Sequence, residues 1–308
     1  MVKKAYSFKN DTNTDKETNS KNLFKIFHQN IRGLKSKVDE LSNSLFPDSP
    51  HIMCLTEHHL KDYEIDNLPI DHFKLGSKFC RHEFKNGGVC IFIHEDLEFF
   101  SISLDKYCKE KDTGVCVVKL NLTPMKLIIL AIYRSPLGNF TIFLKNLDNV
   151  LNTWYSNKTE FMICGDININ YLDNCKKRQQ LDALLQIYNL TGTVSFPTHK
   201  SNASTTAIDN IFIARTKNYT IYPFINGLSN HGAQILVIEN TVLTKQRHNI
   251  TTRRDINDQG ILEFQLPLSH ENWEEIFMGD DANISLNKFL NIYLRIFCSH
   301  IIKKRKLQ

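Results

Sequence analysis

The chain has no long hydrophobic run and little glycine, proline or tryptophan. Its 308 residues include 12 glycines, 8 prolines and 2 tryptophans, which excludes a collagen-like or low-complexity chain. The longest apolar stretches, such as residues 127–133, fall far short of the roughly 20 residues that a membrane-spanning helix needs. The polar N-terminus also lacks the apolar core of a signal peptide. We therefore expect a soluble protein that is not secreted.

The eight cysteines show no Cys-x-x-Cys spacing. Most lie within apolar segments, as Cys54, Cys90, Cys116 and Cys164 do. Disulfide frameworks and thiol-based metal sites use cysteines in recognisable spacings, whereas reduced thiols occur singly in cores. The cysteine pattern therefore favours an intracellular, reducing compartment.

Composition permits a large core and a polyanionic partner. Hydrophobic residues make up 42% of the chain, and the formal net charge is +5 at pH 7. A chain of this length and apolar content can bury a sizeable core. The mild positive charge is compatible with nucleic acid but does not require it.

The sequence divides into four parts. Residues 1–22 are almost entirely polar, so we expect a disordered tail. Residues 23–240 alternate strand-like runs with helical apolar stripes, which predicts one compact α/β domain. Residues 241–265 are polar and are expected to form a linker. Residues 266–308 carry an apolar stripe typical of a helix.

Within the α/β domain, β-branched and aromatic runs predict a series of strands. They are expected at residues 23–28, 52–56, 89–94, 97–104, 115–120, 126–133, 161–166, 207–213, 219–225 and 235–238. Helical spacing predicts helices that follow the first strand and precede and follow Asp166. The stretch between the second and third strands is expected to be irregular.

The sequence Phe161–Asn170 is the centre of the functional interpretation. An apolar run reaches Gly165 and is followed by Asp166 and Asn168. Side chains two residues apart on an extended strand point to one face, so these two are expected together. A carboxylate that takes a proton and an amide that donates hydrogen bonds suit phosphate-ester hydrolysis. Alone, the pattern is more often a turn whose side chains bond their own backbone.

Other predicted strands also end in polar residues. These are Asn30, Glu57, Tyr133, and Asn230 with His231, while Asp209 lies inside a neighbouring strand. Sheet proteins tend to collect ligand-binding groups at strand ends. The sequence therefore predicts one polar site at an edge of the sheet.

Six motifs in order, QNIRGL, LTEHHL, IYRSP, GDININ, AIDNIF and LSNHGAQ, resemble the endonuclease/exonuclease/phosphatase superfamily. They more closely resemble the endonuclease domain of non-LTR (LINE-type) retrotransposons, over about residues 23–240. This resemblance implies a DNase I-like four-layer α/β sandwich, with two mixed, mostly antiparallel sheets flanked by helices. It also implies a Mg²⁺-dependent endonuclease that nicks target DNA by in-line attack of water.

The resemblance implies a metal side of the site. Glu57 is the expected Mg²⁺ ligand, with Mn²⁺ as a possible substitute, and Asn30 and Asn230 are expected beside it. A single carboxylate suffices because Mg²⁺ keeps several of its waters. Arg32 stands where some relatives have an acidic residue, and Asn230 where they usually have Asp, so the local charge differs.

The resemblance also assigns catalytic roles. Asp166 would orient or deprotonate the attacking water, and Asn168 would hold a non-bridging oxygen. His231 would face the phosphate with its tautomer fixed by Asp209, and Tyr133 would hydrogen-bond the phosphate. DNA contacts are expected from an arginine and three residues of a polar loop: Arg134, Ser204, Thr205 and Thr206.

Two other functions remain open. The same catalytic set would serve an abasic-site or small-molecule phosphoesterase. Asn230 instead favours a catalytically impaired remnant that binds DNA or a partner. The expected partners are DNA and, if residues 266–308 begin the connection to a missing reverse transcriptase, that domain or the element RNA, with no membrane. Such an enzyme would act in the nucleus.

Overall fold

The computed structural model describes residues 23–46, 48–84, 86–121, 126–154, 159–201, 204–214, 218–239, 250–254, 258–277, 282–300 and 303–307. The expected disordered tail, residues 1–22, lies outside these ranges. The chain forms two compact units, Met1–Lys245 and Gln246–Gln308.

The first unit alternates strands and helices. Its strands are β1 (Phe24–Asn30), β2 (Ile52–Thr56), β3 (Phe73–Phe79), β4 (Val89–His94), β5 (Phe99–Ile102), β6 (Thr113–Asn121), β7 (Lys126–Arg134), β8 (Thr159–Asp166), β9 (Leu190–Gly192), β10 (His199–Lys200), β11 (Thr205–Thr206), β12 (Asp209–Ala214), β13 (Tyr219–Phe224) and β14 (Ala233–Ile238). Its helices are α1 (Val38–Leu45), α2 (Asp62–Asp66), α3 (Phe140–Trp154) and α4 (Lys176–Ile187).

Two six-stranded sheets carry the fold. Their strand orders are β13-β14-β1-β2-β4-β3 and β5-β6-β7-β8-β12-β9. The pairs β1/β2 and β7/β8 are parallel, and the other pairs within these sheets are antiparallel. The sheets are therefore mixed and mostly antiparallel, as predicted.

Strand alternation divides the core into layers. In β8, Met162 and Cys164 face the other sheet, and they join an inner cluster with Ile26 and Cys54. The alternating residues of β8 instead pack with α3 and α4. On the far side of the other sheet, residues of β1 and β2 pack with α1 and α2. This gives helices, sheet, sheet and helices, so the predicted four-layer sandwich is confirmed.

The same alternation carries polar groups to one end of the inner layer. Asp166 is two residues beyond Cys164, Tyr133 is two beyond Ala131, and Asp209 is two before Ile211. Each of these three apolar neighbours belongs to the inner cluster. The inner faces of the strands therefore end in a shared polar layer.

The stretch between β2 and β4, predicted as irregular, contains α2 and β3. β3 is an edge strand with an irregular register between Leu75 and Ser77. Its sequence FKLGSKF mixes lysine and glycine with apolar residues, and glycine weakens a strand signal. The strand therefore depends on pairing with β4 more than on local preference. The predicted loop at 201–206 similarly ends in β11 of a short hairpin with β10.

The second unit contains β15 (Ile250–Arg254), α5 (Asp258–His270), α6 (Glu274–Phe277), α7 (Ala282–His300) and β16 (Lys303–Leu307). The apolar stripe of α7 was expected, but residues 250–265 carry β15 and part of α5 where a polar linker was expected. β15 pairs with the distant β16, a contact that local composition does not reveal. Among the helices that can be described, none is both long and apolar enough to cross a membrane.

Gly165 brings β8 against β7 just before Asp166. A Cβ at this position would lie 1.9 Å from the backbone oxygen of Ile132, whereas one at Gly232 would lie 3.8 Å from the nearest atom, the Thr198 carbonyl oxygen. We predict that Gly165→Ala lowers the free energy of unfolding by about 3 kcal/mol, because backbone must move. Urea unfolding of both glycine variants tests this. Equal stability of Gly165→Ala and Gly232→Ala would contradict the prediction.

Candidate active site

Asp166 ends β8 and pairs in register with Asp209 on one side and Tyr133 on the other. Its carboxylate is 1% exposed. The amide nitrogen of Asn30 donates to Oδ2 at 2.8 Å, and the Asn168 backbone N–H donates to Oδ1 at 3.0 Å. Burial and then the negative charge of Asp209 raise the pKa of Asp166 above its ordinary value. A carboxylate with a raised pKa is better suited to accept a proton near neutral pH.

His231 and Asp209 form a buried pair. His231 Nδ1 lies 2.9 Å from Asp209 Oδ2, which also accepts a hydrogen bond from the Thr198 hydroxyl at 2.8 Å. Burial would lower the pKa of His231, but the hydrogen bond and charge of Asp209 raise it. With Nδ1 held by Asp209, Nε2 is the nitrogen left to act on a ligand. One atom from each of Asp166, Asp209 and His231 lies within 4.8 Å of the others.

Glu57 follows β2 in a left-handed backbone conformation, with φ of 52°. Its side chain is 13% exposed. Burial would raise the pKa of Glu57, but its contacts with His59, whose Nε2 lies 3.5 Å from Oε2, and with Asn30 lead the effects that lower it to about 2. Burial, followed by the Glu57 charge, raises the pKa of the neighbouring Tyr133 phenol. Glu57 is therefore an ionised carboxylate at the edge of the polar layer.

A series of contacts between polar side chains runs beside Glu57. Arg32 Nε lies 3.6 Å from Glu57 Oε2, and Arg32 Nη1 donates to the Asn230 amide oxygen at 3.0 Å. The Asn230 amide nitrogen donates to His199 Nε2 at 2.9 Å. The His199 ring lies 4.5 Å, centroid to centroid, from that of His231. Arg32 and His199 thus join the site, although the sequence interpretation gave neither a role there.

Asn168 is not placed as predicted. β8 ends at Asp166, and Asn168 adopts φ of 49°, so the two side chains do not alternate along an extended strand. The Asn168 amide nitrogen donates to the backbone carbonyl of Arg134 at 2.8 Å. The part of Asn168 that bonds Asp166 is its backbone N–H.

Arg134 was predicted to contact DNA, and the structure corrects this. The residue is 1% exposed. Its guanidinium donates to the backbone carbonyls of Ile167 at 2.7 Å, Asn168 at 3.0 Å and Gly138 at 3.2 Å. It follows the inner-facing Tyr133 and therefore lies on the opposite face of β7. Arg134 holds the loop after Asp166 and is not available to a nucleic acid.

The three predicted DNA-contacting loop residues lie at the β10–β11 hairpin. Ser204 and Thr205 are exposed and Thr206 is half-buried. The hairpin continues from Thr198 and His199, and an isolated bridge joins His199 to His231. These residues therefore lie beside the catalytic candidates, and their contact with DNA stays a prediction. Thr198 and His199 were missed because a Thr-His pair in a loop carries no distinctive sequence signal.

The candidate metal-ligating atoms suit a hard cation at Glu57. Glu57 offers an ionised carboxylate, and Asn30 offers an amide beside it. The oxygen of Asn230, also predicted as a ligand, is instead bonded to Arg32. Asp166, Asp209 and His231 already bond one another or their neighbours. Mg²⁺ can be held through one protein carboxylate and several waters, and Glu57 can supply that carboxylate. Asn230, as an amide, adds no negative charge to the metal site.

No family profile matches the sequence, and no curated protein matches it. Solved structures do match. The endonuclease domain of TRAS1, a telomere-specific non-LTR retrotransposon, has a TM-score of 0.56 at 13% identity, covering 70% of this chain and 98% of that domain. An AP endonuclease from Archaeoglobus fulgidus has a TM-score of 0.53 at 14% identity, covering 70% and 99%.

A third match is an endonuclease/exonuclease/phosphatase family protein from Leptotrichia buccalis, with a TM-score of 0.51 at 14% identity, covering 70% of this chain and 99% of that one. The chain has the endonuclease/exonuclease/phosphatase fold. The fold implied by the ordered motifs is therefore confirmed. Identities this low do not transfer an activity.

Asp209→Asn tests the buried His–Asp pair. We predict that the pKa of His231 falls, because the hydrogen bond and charge of Asp209 raise it and burial then acts without that opposition. An NMR pH titration of the His231 ring measures the change. Asp182→Asn, which alters a carboxylate bonded to Tyr171, is the control. An unchanged His231 pKa in Asp209→Asn would contradict the assignment.

Arg134→Met tests whether Arg134 stabilises the loop after Asp166. We predict a loss of about 3 kcal/mol in unfolding free energy, because three buried carbonyl contacts lose a charged donor. Urea unfolding measures it, and Lys35→Met, which removes one exposed charge, is the control. Weaker DNA binding with unchanged stability would instead restore the predicted DNA contact.

Proposed function

We propose that the protein is a Mg²⁺-dependent phosphodiester hydrolase that nicks DNA. The observation that carries this proposal is the convergence of three groups. A buried carboxylate, Asp166, lies beside the buried pair His231–Asp209, and the ionised Glu57 stands at the same edge. A proton acceptor, a positively charged proton donor and a cation-binding carboxylate are the groups that hydrolysis of a phosphodiester needs.

Asp166 takes the proton from the attacking water. Its two oxygens are positioned by different donors, the Asn30 amide and the Asn168 backbone N–H. The Asn168 donor is itself fixed, because Arg134 holds the carbonyls of Ile167 and Asn168 on either side of that N–H. The carboxylate therefore needs little reorganisation when the proton moves.

His231 acts on the phosphate side. The raised pKa of His231, caused by Asp209 in spite of burial, favours the imidazolium. Through Nε2 it donates to a phosphate oxygen as negative charge develops there. Asp209 stabilises the imidazolium and fixes the ring. When bound at Glu57, Mg²⁺ would supply further positive charge to stabilise the negative charge that develops on the phosphate.

DNA is the proposed substrate because of the surroundings of the site. The β10–β11 hairpin projects exposed Ser204 and Thr205 beside His231, where a polymer backbone could extend past the catalytic groups. The solved structures with this fold include a retrotransposon endonuclease domain and an AP endonuclease. The ordered motifs favour a retrotransposon endonuclease, whose nick would supply the primer end for reverse transcription.

Two observations favour other functions for the same site. The AP endonuclease likeness favours an abasic-site substrate through the same groups. The Arg32–Asn230 contact replaces a carboxylate with an amide and a cation, which favours an impaired enzyme. An assay panel of supercoiled plasmid, abasic duplex and inositol phosphates separates the substrates.

Supercoiled-plasmid nicking tests the proposal. We expect relaxed circles with Mg²⁺ and none with EDTA. Asp166→Asn and His231→Ala should each lower the rate by at least about 10³-fold, because both groups act in the transition state. Asp39→Asn, an exposed carboxylate in α1, should leave it unchanged.

Circular dichroism and thermal unfolding would check that each nicking variant keeps its fold. Metal-independent nicking, or full activity in either catalytic variant, would contradict the proposal. No nicking by the wild type with Mg²⁺ or Mn²⁺ would favour the impaired remnant.

A further inference from the structure

Arg32 places a fixed positive charge inside the proposed site. Its guanidinium contacts Glu57 at 3.6 Å and Asn230 at 3.0 Å, and its side chain is 49% exposed. A guanidinium has five N–H donors in one plane. These two contacts leave other N–H donors of the guanidinium and one exposed side of it, so the group can bind another anion.

The backbone holds Arg32 in this place. Arg32 has φ of 47°, a left-handed conformation that costs an ordinary residue about 1–2 kcal/mol. The N–H groups of Ile31, Gly33 and Leu34 donate to the end of β2 and the two residues after it, at 3.0, 2.8 and 3.0 Å. The Lys37 ammonium also donates to the carbonyl of Arg32 at 3.0 Å. Strain of this kind persists where the surrounding structure fixes it.

Asn230 orients both neighbours through a single amide. Its oxygen accepts from Arg32, and its nitrogen donates to His199 Nε2. An aspartate could accept from Arg32, but it could bond His199 only if that ring carried its proton on Nε2. It would also add a second carboxylate, beside that of Glu57, to the guanidinium and hold it away from a third group. The amide therefore keeps Arg32 in position without adding a second negative charge.

We infer that Arg32 is a phosphate-binding residue whose guanidinium, held between Glu57 and Asn230, binds a non-bridging oxygen of the scissile phosphate. This rests on the proposed function and names the group that recognises the phosphate. Planar guanidinium donors match phosphate oxygens in pairs. Arg32 thereby supplies from the protein some of the positive charge that the phosphate needs.

The arrangement predicts opposite effects on two ligands. A guanidinium beside Glu57 attracts a phosphate but repels a divalent cation that approaches the same carboxylate. Removing the charge should weaken DNA binding and strengthen metal binding. A merely structural role for Arg32 predicts that both weaken together. The sign of the metal effect therefore separates the two explanations.

The test compares Arg32→Met and Arg32→Lys with Lys35→Met in the full chain. Lys35 is exposed and pairs with Glu64, so its variant loses the same charge outside the site. We measure binding of a short fluorescent DNA duplex in EDTA, and binding of Mn²⁺ by paramagnetic resonance without DNA.

Arg32→Met should bind the duplex about tenfold to hundredfold more weakly than Lys35→Met and should bind Mn²⁺ more tightly. Arg32→Lys keeps the charge without the planar fork and should fall between the wild type and Arg32→Met. If Arg32→Met does not fold, Arg32→Lys still tests the inference. Asn230→Asp should weaken duplex binding as well.

Equal duplex and Mn²⁺ binding by Arg32→Met and Lys35→Met would overturn the inference. So would a loss of both affinities in Arg32→Met. Neither measurement uses nicking activity. A wild type that binds DNA through Arg32 but never nicks would refute the proposed hydrolysis and leave the phosphate contact standing.

Discussion

The structure depends on two buried carboxylates placed in register on neighbouring strands. Asp166 and Asp209 pair across β8 and β12 and are 1% and 0% exposed. Like charges in such a place are unfavourable unless each has donors. Asn30 serves Asp166, while Thr198 and His231 serve Asp209. These donors come from distant segments, so the site forms only when both sheets have packed.

Strain is concentrated where the strands end. Arg32, Glu57 and Asn168 all adopt left-handed backbone conformations, which are costly for residues with a side chain. Each lies one or two residues beyond a strand that contributes apolar side chains to the inner cluster. The turns redirect the chain so that a polar group can face the site after the strand has ended. Backbone hydrogen bonds between the loops after β1 and β2 offset this cost and keep the groups from rearranging.

Much of the fold was predictable because local preference and tertiary demand agree in the long inner strands. β2 and β4 fall at the predicted residues, and Asp166, Asp209 and His231 meet as the ordered motifs implied. Predictions failed where a single backbone angle or strand face decides the outcome. Arg134 looked accessible in IYRSP, but alternation after Tyr133 turns it to the buried face of β7. β3 was missed because an edge strand with lysine and glycine forms chiefly by pairing with β4.

The contact of Arg32 with Asn230 changes the interpretation of an amide at position 230. Considered alone, an amide that brings no charge suggests a weakened metal site. In the structure its oxygen accepts from a guanidinium and its nitrogen donates to His199, so both halves of the amide are used. A carboxylate could accept from the guanidinium, but it would need the other tautomer of His199 and would add a second negative charge beside that of Glu57. The neutral side chain thus suits its neighbours, and positive charge near Glu57 comes from the protein as well as from any bound cation. Such a site would bind an anionic phosphodiester with less dependence on metal than one built from carboxylates alone.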